Sequence, residues 1–163
     1  VIFNGTVNSN ISYGKSLKKI TDQKIKESAL VAQASEFILN MDDAYDTHIA
    51  QGGTNVSGGQ KQRLSIARAI ARDPEIYIFD DSFSALDYKT DATLRSELKK
   101  YTKDATSLIV AQRIGTIMNA DKIIVLDNGS CVGIGTHKEL LKSCDVYEQI
   151  ALSQLSKEEL DNA

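Results

Sequence analysis

Residues 76–81 read Ile76-Tyr77-Ile78-Phe79-Asp80-Asp81 and give the clearest indication of the fold class. Four consecutive apolar residues, rich in aromatic and branched side chains, are typical of a strand that is buried on both faces. Similar apolar runs return at residues 107–110 and 122–126, and helical patterns lie between them. Because strands alternate with helices, we expect an α/β fold with a mainly parallel sheet.

An antiparallel pair of strands is predicted at one edge of this sheet. The tetrapeptide Asp127-Asn128-Gly129-Ser130 predicts a hairpin turn, since Asn-Gly is suited to positive φ angles. It leads into a predicted strand at residues 131–134. We expect Thr136 to cap a helix that runs through Leu141, and a second helix over residues 146–155.

Upstream of Pro74 the pattern is helical. Residues 4–14 predict a turn and one short helical turn, and residues 22–40 predict two helices with a break near Ser35. Residues 42–56 predict a loop. A strong helix begins at Ser57-Gly58-Gly59-Gln60, which has the form of a capping box, and ends before Pro74. We therefore expect a helical part at residues 1–73 and a sheet part at residues 74–163.

Composition excludes several classes of protein. The 163 residues are 42% hydrophobic and 25% charged, as in ordinary globular domains, so a disordered chain is excluded. The net charge of −3 argues against a protein that wraps nucleic acid, and we expect no nucleic-acid partner. Cys131 and Cys144 are too few for a disulfide scaffold and lack metal-ligand spacing. No apolar run approaches the roughly twenty residues that span a bilayer.

Two short stretches contain residues that could bind a metal ion or a phosphate. Asp80 and Asp81 follow the strand at residues 76–79, and carboxylates at the carboxyl end of a strand can hold Mg²⁺ and a reacting water. The alternative is a solvated turn. Ser57-Gly58-Gly59 begins a helix with backbone N–H groups that no side chain covers, which suits a phosphate. The alternative is that the two glycines only allow close helix packing.

Taken in order, the motifs resemble those of the ABC ATPase family. The signature motif corresponds to Asn55-Val56-Ser57-Gly58-Gly59-Gln60-Lys61-Gln62-Arg63, Walker B to residues 76–81, and the D-loop to Ser84-Ala85-Leu86-Asp87. Residues 3–7 and 10–14 resemble the segment after the Q-loop of ABC exporters, and residues 133–141 resemble the exporter C-terminal part.

The resemblance implies a partial RecA-like P-loop NTPase core with an α-helical subdomain. Residues 1–73 would be the exporter-type segment and the helical subdomain with the signature. Residues 74–163 would be the C-terminal part of the core, with Walker B, the D-loop and the H-loop.

The P-loop of this family, G-x-x-x-x-G-K-[ST], is not in the sequence. Gly14-Lys15-Ser16 imitates its end, but Ser9 occupies the first glycine position and no buried strand precedes it. Val1 begins in the middle of an apolar pattern. We therefore expect the P-loop upstream of Val1, and a C-terminal fragment that is inactive by itself.

The resemblance also implies roles for single residues, with ATP and Mg²⁺ as cofactors. Asp80 would hold Mg²⁺, and the D-loop would link two nucleotide sites. The signature residues would close over ATP that is held by a second nucleotide-binding domain; these residues are Val56, Ser57, Gly58, Gly59 and Gln60.

Two departures from the family predict a weakened hydrolytic site. Asp81 stands where the family has a Glu that polarises the attacking water, and Gln112 stands where it has the H-loop His. The shorter carboxylate is pulled back, and a misplacement of about 1 Å can cost on the order of 100-fold in rate. Gln112 can donate a hydrogen bond but cannot carry positive charge. We expect a heterodimer, in which the partner domain is a different polypeptide.

A membrane partner follows from the same resemblance. Ala50-Gln51-Gly52-Gly53 is similar to the exporter X-loop, which meets the transmembrane coupling helices, although Gln51 replaces Glu and Gly52 replaces Arg. This implies a location at the cytoplasmic face of a membrane. For His48 and His137 we expect surface or capping roles.

Two other functions are considered. A soluble ABC ATPase of DNA repair would insert long coiled coils before the signature, but only about fifty residues without heptads separate Phe3 from Ser57. The exporter-like segments speak against translation factors. The second alternative is a naturally truncated, non-enzymatic interaction module, which the sequence upstream of Val1 would distinguish.

Overall fold

The structure, a computed structural model, describes residues 1–14 and 19–155. Lys15 and Ser16 of the P-loop-like tripeptide lie outside this part. The chain divides into two compact units, Val1–Leu108 and Ile109–Ala163. The described strands are β1 Gly5–Thr6, β2 His48–Ile49, β3 Ile76–Asp80, β4 Thr106–Val110, β5 Ile123–Asp127 and β6 Ser130–Gly135. The described helices are α1 Val7–Ile11, α2 Asp22–Val31, α3 Ser35–Leu39, α4 Gly58–Ala71, α5 Tyr88–Tyr101, α6 Ile114–Ile117, α7 His137–Ser143 and α8 Asp145–Gln154.

Helix α4 is the central helix of the first unit, and its predicted capping box is confirmed. The Ser57 N–H donates to Oε1 of Gln60 at 2.9 Å, and the Gln60 N–H donates to Oγ of Ser57 at 3.3 Å. The helix packs against α1 and α2. Leu64, Ala67 and Ile70 are fully buried, so this side of α4 forms core rather than surface.

Arg68 fastens the N-terminal segment to α4. Its Nε donates to the Asn10 carbonyl oxygen at 2.7 Å, and its Nη1 donates to the Val1 carbonyl oxygen at 2.7 Å. Nη2 donates to Oδ1 of Asn10 at 3.0 Å, and the guanidinium lies 5.0 Å from the centre of the Phe3 ring. Hydrogen bonds from a charged group are stronger than neutral ones, so this contact orders the first ten residues.

The two predicted helices between residues 22 and 40 are confirmed as α2 and α3, with the break just before Ser35. The predicted loop at residues 42–56 contains more structure than expected. It holds 3₁₀ helices at Ala44–Asp46 and Gln51–Gly53, and β2, which pairs antiparallel with β1. A two-residue strand is too short to produce a visible alternation, which is why the sequence did not indicate it.

Strand β3 is buried on one face only in the described part of the chain, so the prediction of burial on both faces was wrong. Tyr77 and Phe79 are buried, whereas Ile76 and Ile78 are 62% and 67% exposed. The Phe79 ring lies 5.6 Å from the ring of Phe83 and 5.9 Å from that of Tyr77, which forms an aromatic cluster on the buried face. A continuous apolar run does not reveal which faces have a packing partner.

The second unit contains the predicted hairpin. β5 and β6 pair antiparallel from Ile123 opposite Gly135 to Asp127 opposite Ser130. Asn128 and Gly129 have φ angles of 48° and 78°, the positive values that a two-residue hairpin turn requires. One apolar cluster unites the helices with the hairpin; its buried members are Ile114, Ile123, Val125, Leu140, Cys144, Tyr147 and Ala151.

His137 was predicted at the surface or as a cap, and this was wrong. Thr136 caps α7, while His137 is only 4% exposed and its Nδ1 lies 2.7 Å from the Tyr147 hydroxyl. Its Nε2 is buried without a hydrogen-bond partner among the described residues. Burial, and to a lesser extent the charge of Lys138, lowers the pKa of His137 below its usual value. His48 is exposed, as expected.

The α/β class is confirmed, although the described strands form three two-stranded sheets: β1–β2, β3–β4 and β5–β6. In residues 1–14 and 19–155 no helix is both long enough and apolar enough to cross a membrane. The predicted division of the chain into residues 1–73 and 74–163 is based on the sequence motifs and not on the two compact units, and it stays a prediction.

Candidate functional site

The N-terminus of α4 is open to solvent, as a phosphate site requires. Ser57 and Gly58 are exposed, and Gly59 and Gln60 are partly buried. A cavity of about 420 Å³ lies at this helix end and is lined by Ser57, Gly58, Gly59, Arg63, Ala85, Leu86, Asp87 and Thr90. The signature and D-loop residues therefore share one surface of the first unit.

The two glycines of the signature have different surroundings. A Cβ added to Gly59 would lie 3.0 Å from the Ala85 carbonyl oxygen and 3.6 Å from Cδ2 of Leu86. A Cβ added to Gly58 would meet only Cβ of Ala85, at an ordinary 3.5 Å. Close packing thus accounts for Gly59, whereas it does not account for Gly58, which is exposed.

Gln62 joins α4 to the residues that follow β3. Its Nε2 donates to the Asp81 carbonyl oxygen at 3.0 Å and to Oγ of Ser84 at 3.1 Å. Its Oε1 accepts the Ala85 N–H at 2.9 Å. We did not predict this role from the sequence; the only signal was the position of Gln62, two residues after Gln60 inside the signature stretch.

The two carboxylates of Walker B differ in backbone conformation. Asp80 ends β3 and is exposed, while Asp81 has a φ angle of 46°, in the left-handed region that Asp tolerates better than most residues. The Ser84 hydroxyl lies 3.0 Å from Oδ2 of Asp81 and donates to it. The Asp81 side chain is therefore held by its own D-loop.

The residues present fit a magnesium ion at Asp80. Mg²⁺ is commonly bound by one or two carboxylates together with water and phosphate oxygens, and Asp80 offers an exposed carboxylate at the end of a strand. Within the described residues, no group of three or more His, Cys, Asp or Glu side chains could hold a metal by itself. The site fits an ion that arrives with a phosphate ligand.

The other D-loop residues and Arg63 shape the same cavity. Leu86 is buried, and Asp87 caps α5 by accepting the Thr90 N–H at 3.0 Å. The hydrogen bonds from Thr90 lower the pKa of Asp87, which stays anionic. Arg63 donates to the Gly59 carbonyl oxygen at 3.3 Å and to that of Gln33 at 2.7 Å. Arg63 thus brings a positive charge to the cavity, a feature that the sequence reading had not used.

The X-loop-like segment is tied to the N-terminus of the chain. Oε1 of Gln51 accepts the Asn4 N–H at 3.2 Å, and the Gly52 N–H donates to the Ile2 carbonyl oxygen at 3.1 Å. Gly52 has a φ angle of 69°, which strains any residue with a Cβ. The replacement of the family's Arg by Gly therefore coincides with a left-handed backbone.

Gln112 belongs to the second unit. It is exposed, and its carbonyl oxygen accepts a hydrogen bond from Nε2 of Gln154 at 2.9 Å. The first unit thus brings together the signature, Asp80, Asp81 and the D-loop, while Gln112 lies in the other unit.

A sequence model described as ABC transporter matches residues 4–84, which include the signature and the D-loop serine. An ABC transporter ATP-binding protein of Mycobacterium bovis, itself uncharacterized, is 48% identical over 154 residues, or 94% of this chain. The chain belongs to the ABC transporter family. A Staphylococcus aureus protein named for multidrug export, an ATP-binding/permease protein, is 43% identical over 92% of the chain.

The structure resembles a solved ABC exporter. A bacterial Atm1-family ABC exporter with ATP bound superimposes with a TM-score of 0.89 and 32% identity over 96% of this chain. The fold is therefore that of the RecA-like nucleotide-binding domain of ABC exporters. This ABC transporter chain spans 26% of the two relatives and 27% of the solved exporter, so it corresponds to part of the ATP-binding domain.

Proposed function

We propose that this chain is part of the ATP-binding and ATP-hydrolysing domain of an ABC exporter, and that its signature motif closes over ATP held by a partner domain. The observation that carries the proposal is the open N-terminus of α4. The capping box uses the N–H groups of Ser57 and Gln60, so the first-turn N–H groups of Gly58 and Gly59, together with the positive end of the helix dipole, are the ones that favour the negative charge of a triphosphate. Arg63 and Asp87 line the same cavity with opposite charges, so the proposal depends on the helix N-terminus rather than on side-chain charge.

We assign the chain's own nucleotide site to the end of β3, where Asp80 would hold Mg²⁺. When bound, Mg²⁺ neutralises charge that develops on the phosphate oxygens. Asp81 would orient the attacking water, and Gln112 would contact the γ-phosphate. Because the Asp81 side chain is one methylene shorter than that of Glu, its carboxylate is pulled back from the attacking water. We therefore assign slow hydrolysis to this site.

The assignment of a weak site implies a heterodimer in which a different polypeptide supplies the stronger site. In that assembly this chain contributes a nearly intact signature, with Val56 in place of the family's Leu, to its partner and receives the partner's signature in return. The X-loop-like residues 50–53 would meet the coupling helices of a transmembrane domain at the cytoplasmic face of the membrane. The names of the relatives support an exporter over a soluble repair or translation ATPase.

The proposal is tested by adding a negative charge at the N-terminus of α4. Gly58→Asp places a carboxylate where phosphate would bind, yet a negative charge stabilises a helix N-terminus, so the fold should keep its stability. Gln149→Asp adds the same charge at an exposed position of α8 as a control. In the full-length transporter, we expect Gly58→Asp to reduce ATP turnover at the partner's site at least tenfold. Turnover equal to that of the Gln149→Asp control would refute the role of the signature.

A further inference from the structure

Gln62 touches both the helix that carries the signature and the loop that carries the hydrolytic aspartate. Resting on the proposed function, we propose that Gln62 is a positioning residue for Asp81. Its contacts make the position of the Asp81 carboxylate depend on the position of α4. None of the motif assignments gives Gln62 a role, because the signature contacts end at Gln60.

The Gln62 carboxamide uses both of its ends. The Oε1 end accepts the Ala85 N–H at 2.9 Å, and the Nε2 end donates to the Asp81 carbonyl oxygen and to Oγ of Ser84. Because the carboxamide is planar, satisfying both ends fixes its orientation relative to the loop. Gln62 is itself partly buried, while its three hydrogen bonds lie at the surface of the first unit.

The contact with Ser84 sets the direction of a second hydrogen bond. Since Oγ of Ser84 accepts from Gln62, its own proton points away from Nε2, toward two acceptors on Asp81: Oδ2 of the carboxylate at 3.0 Å and the carbonyl oxygen at 3.2 Å. Asp81 is exposed, so its side chain would otherwise be free to rotate in water. The chain of hydrogen bonds from Gln62 through Ser84 thus selects one orientation of the Asp81 carboxylate.

The same helix end would respond to a bound triphosphate. Gln62 lies four residues after Gly58, or about one helical turn and roughly 6 Å along α4. The carbonyl of Ala85 already lies against Gly59. A shift of the α4 N-terminus toward a partner's ATP therefore carries Gln62, and with it Ser84 and Asp81. Occupancy of the partner's site would in this way set the geometry of this chain's own site.

Three variants separate the two ends of the carboxamide. Gln62→Glu keeps an oxygen for the Ala85 N–H but loses the donor to Ser84 and to the Asp81 carbonyl oxygen. Gln62→Ala loses both ends, and Ser84→Ala removes the intermediate hydroxyl. Gln149→Ala, at an exposed position of α8, is the matched control. Each variant is made in the full-length transporter with hydrolysis at the partner's site removed by mutation.

Two measurements are made on each variant: single-turnover ATP hydrolysis against ATP concentration, and hydrogen exchange at the Ala85 amide. We expect Gln62→Glu, Gln62→Ala and Ser84→Ala each to lower the maximal rate about tenfold, because misplacement of a catalytic group by about 1 Å can cost on the order of 100-fold in rate. The half-saturating ATP concentration should change less than about twofold. Only Gln62→Ala should speed exchange at Ala85. The Gln62→Glu and Ser84→Ala effects should not add, because both break one chain of hydrogen bonds.

Several results would overturn the inference. One is an unchanged maximal rate in Gln62→Ala together with faster exchange at Ala85, because the contact would then be broken without consequence. Full additivity of Gln62→Glu and Ser84→Ala is another, and a change confined to the half-saturating concentration is a third. If Gln62→Ala unfolds, Gln62→Glu, which keeps the hydrogen bond from the Ala85 N–H, still decides. Absence of ATP turnover in the unmodified transporter would instead refute the proposed function.

Discussion

The signature glycines allow a prediction in which two adjacent substitutions have different effects on stability. Replacing either by Ala improves helix propensity by up to about 1 kcal/mol. At Gly58 the new Cβ makes an ordinary 3.5 Å contact, so the free energy of unfolding should stay equal or rise by up to about 1 kcal/mol. At Gly59 it lies 3.0 Å from the Ala85 carbonyl oxygen, a backbone atom that cannot rotate away. Overpacking of this kind costs about 1–3 kcal/mol.

Because the propensity term is the same for both, the difference between the two variants isolates the contact with Ala85. We expect Gly59→Ala to be about 1–3 kcal/mol less stable than Gly58→Ala. Urea unfolding followed by circular dichroism measures both, and equal m-values would establish that the denatured states match. Two variants within about 0.5 kcal/mol of each other, or a less stable Gly58→Ala, would refute the close approach of the D-loop to Gly59.

Three further predictions follow from single contacts. Arg68→Ala should lower the free energy of unfolding by about 2–3 kcal/mol, because it leaves the Val1 and Asn10 carbonyls without their charged donor. A loss of less than about 0.5 kcal/mol, measured by urea unfolding, would contradict this. The pKa of His137 is lowered in the folded state, so its contribution to the free energy of unfolding should be fully present above about pH 6.5 and be lost as the pH falls below that value. The variant His137→Phe should remove this part of the pH dependence of the urea midpoint. In the full-length transporter, Asp81→Glu combined with Gln112→His should raise ATPase activity, and an unchanged rate would count against a weakened site.

Local signals allowed part of the fold to be predicted. The capping box at Ser57 and Gln60 and the Asn128-Gly129 turn depend on residues within a few positions of one another, so their chemistry is visible in the sequence. The order of the longer strands and helices was visible for the same reason. The candidate site was predicted through the order of its motifs rather than through any contact between them.

Contacts between distant residues could not be predicted. Gln62 reaches residues 19 and 22 positions away, and no periodicity or motif indicates which of its neighbours it will meet. The burial of His137 depends on its packing against Tyr147, ten residues later. The exposure of one face of β3 could not be predicted for the same reason. A run of apolar residues shows that the strand is hydrophobic, but not whether another helix or strand packs on each face.

The left-handed backbone at Asp81 makes the introduction of a longer carboxylate at this position a two-step problem for protein engineering. A short Asp is tolerated at a φ angle of 46°, whereas a longer Glu at the same angle has no such allowance and incurs about 1–2 kcal/mol of strain. Lengthening the side chain alone therefore starts with a loss of stability, which disappears only when the peptide itself rotates to negative φ. Placing a Glu at this position therefore requires a change of the backbone as well as of the side chain.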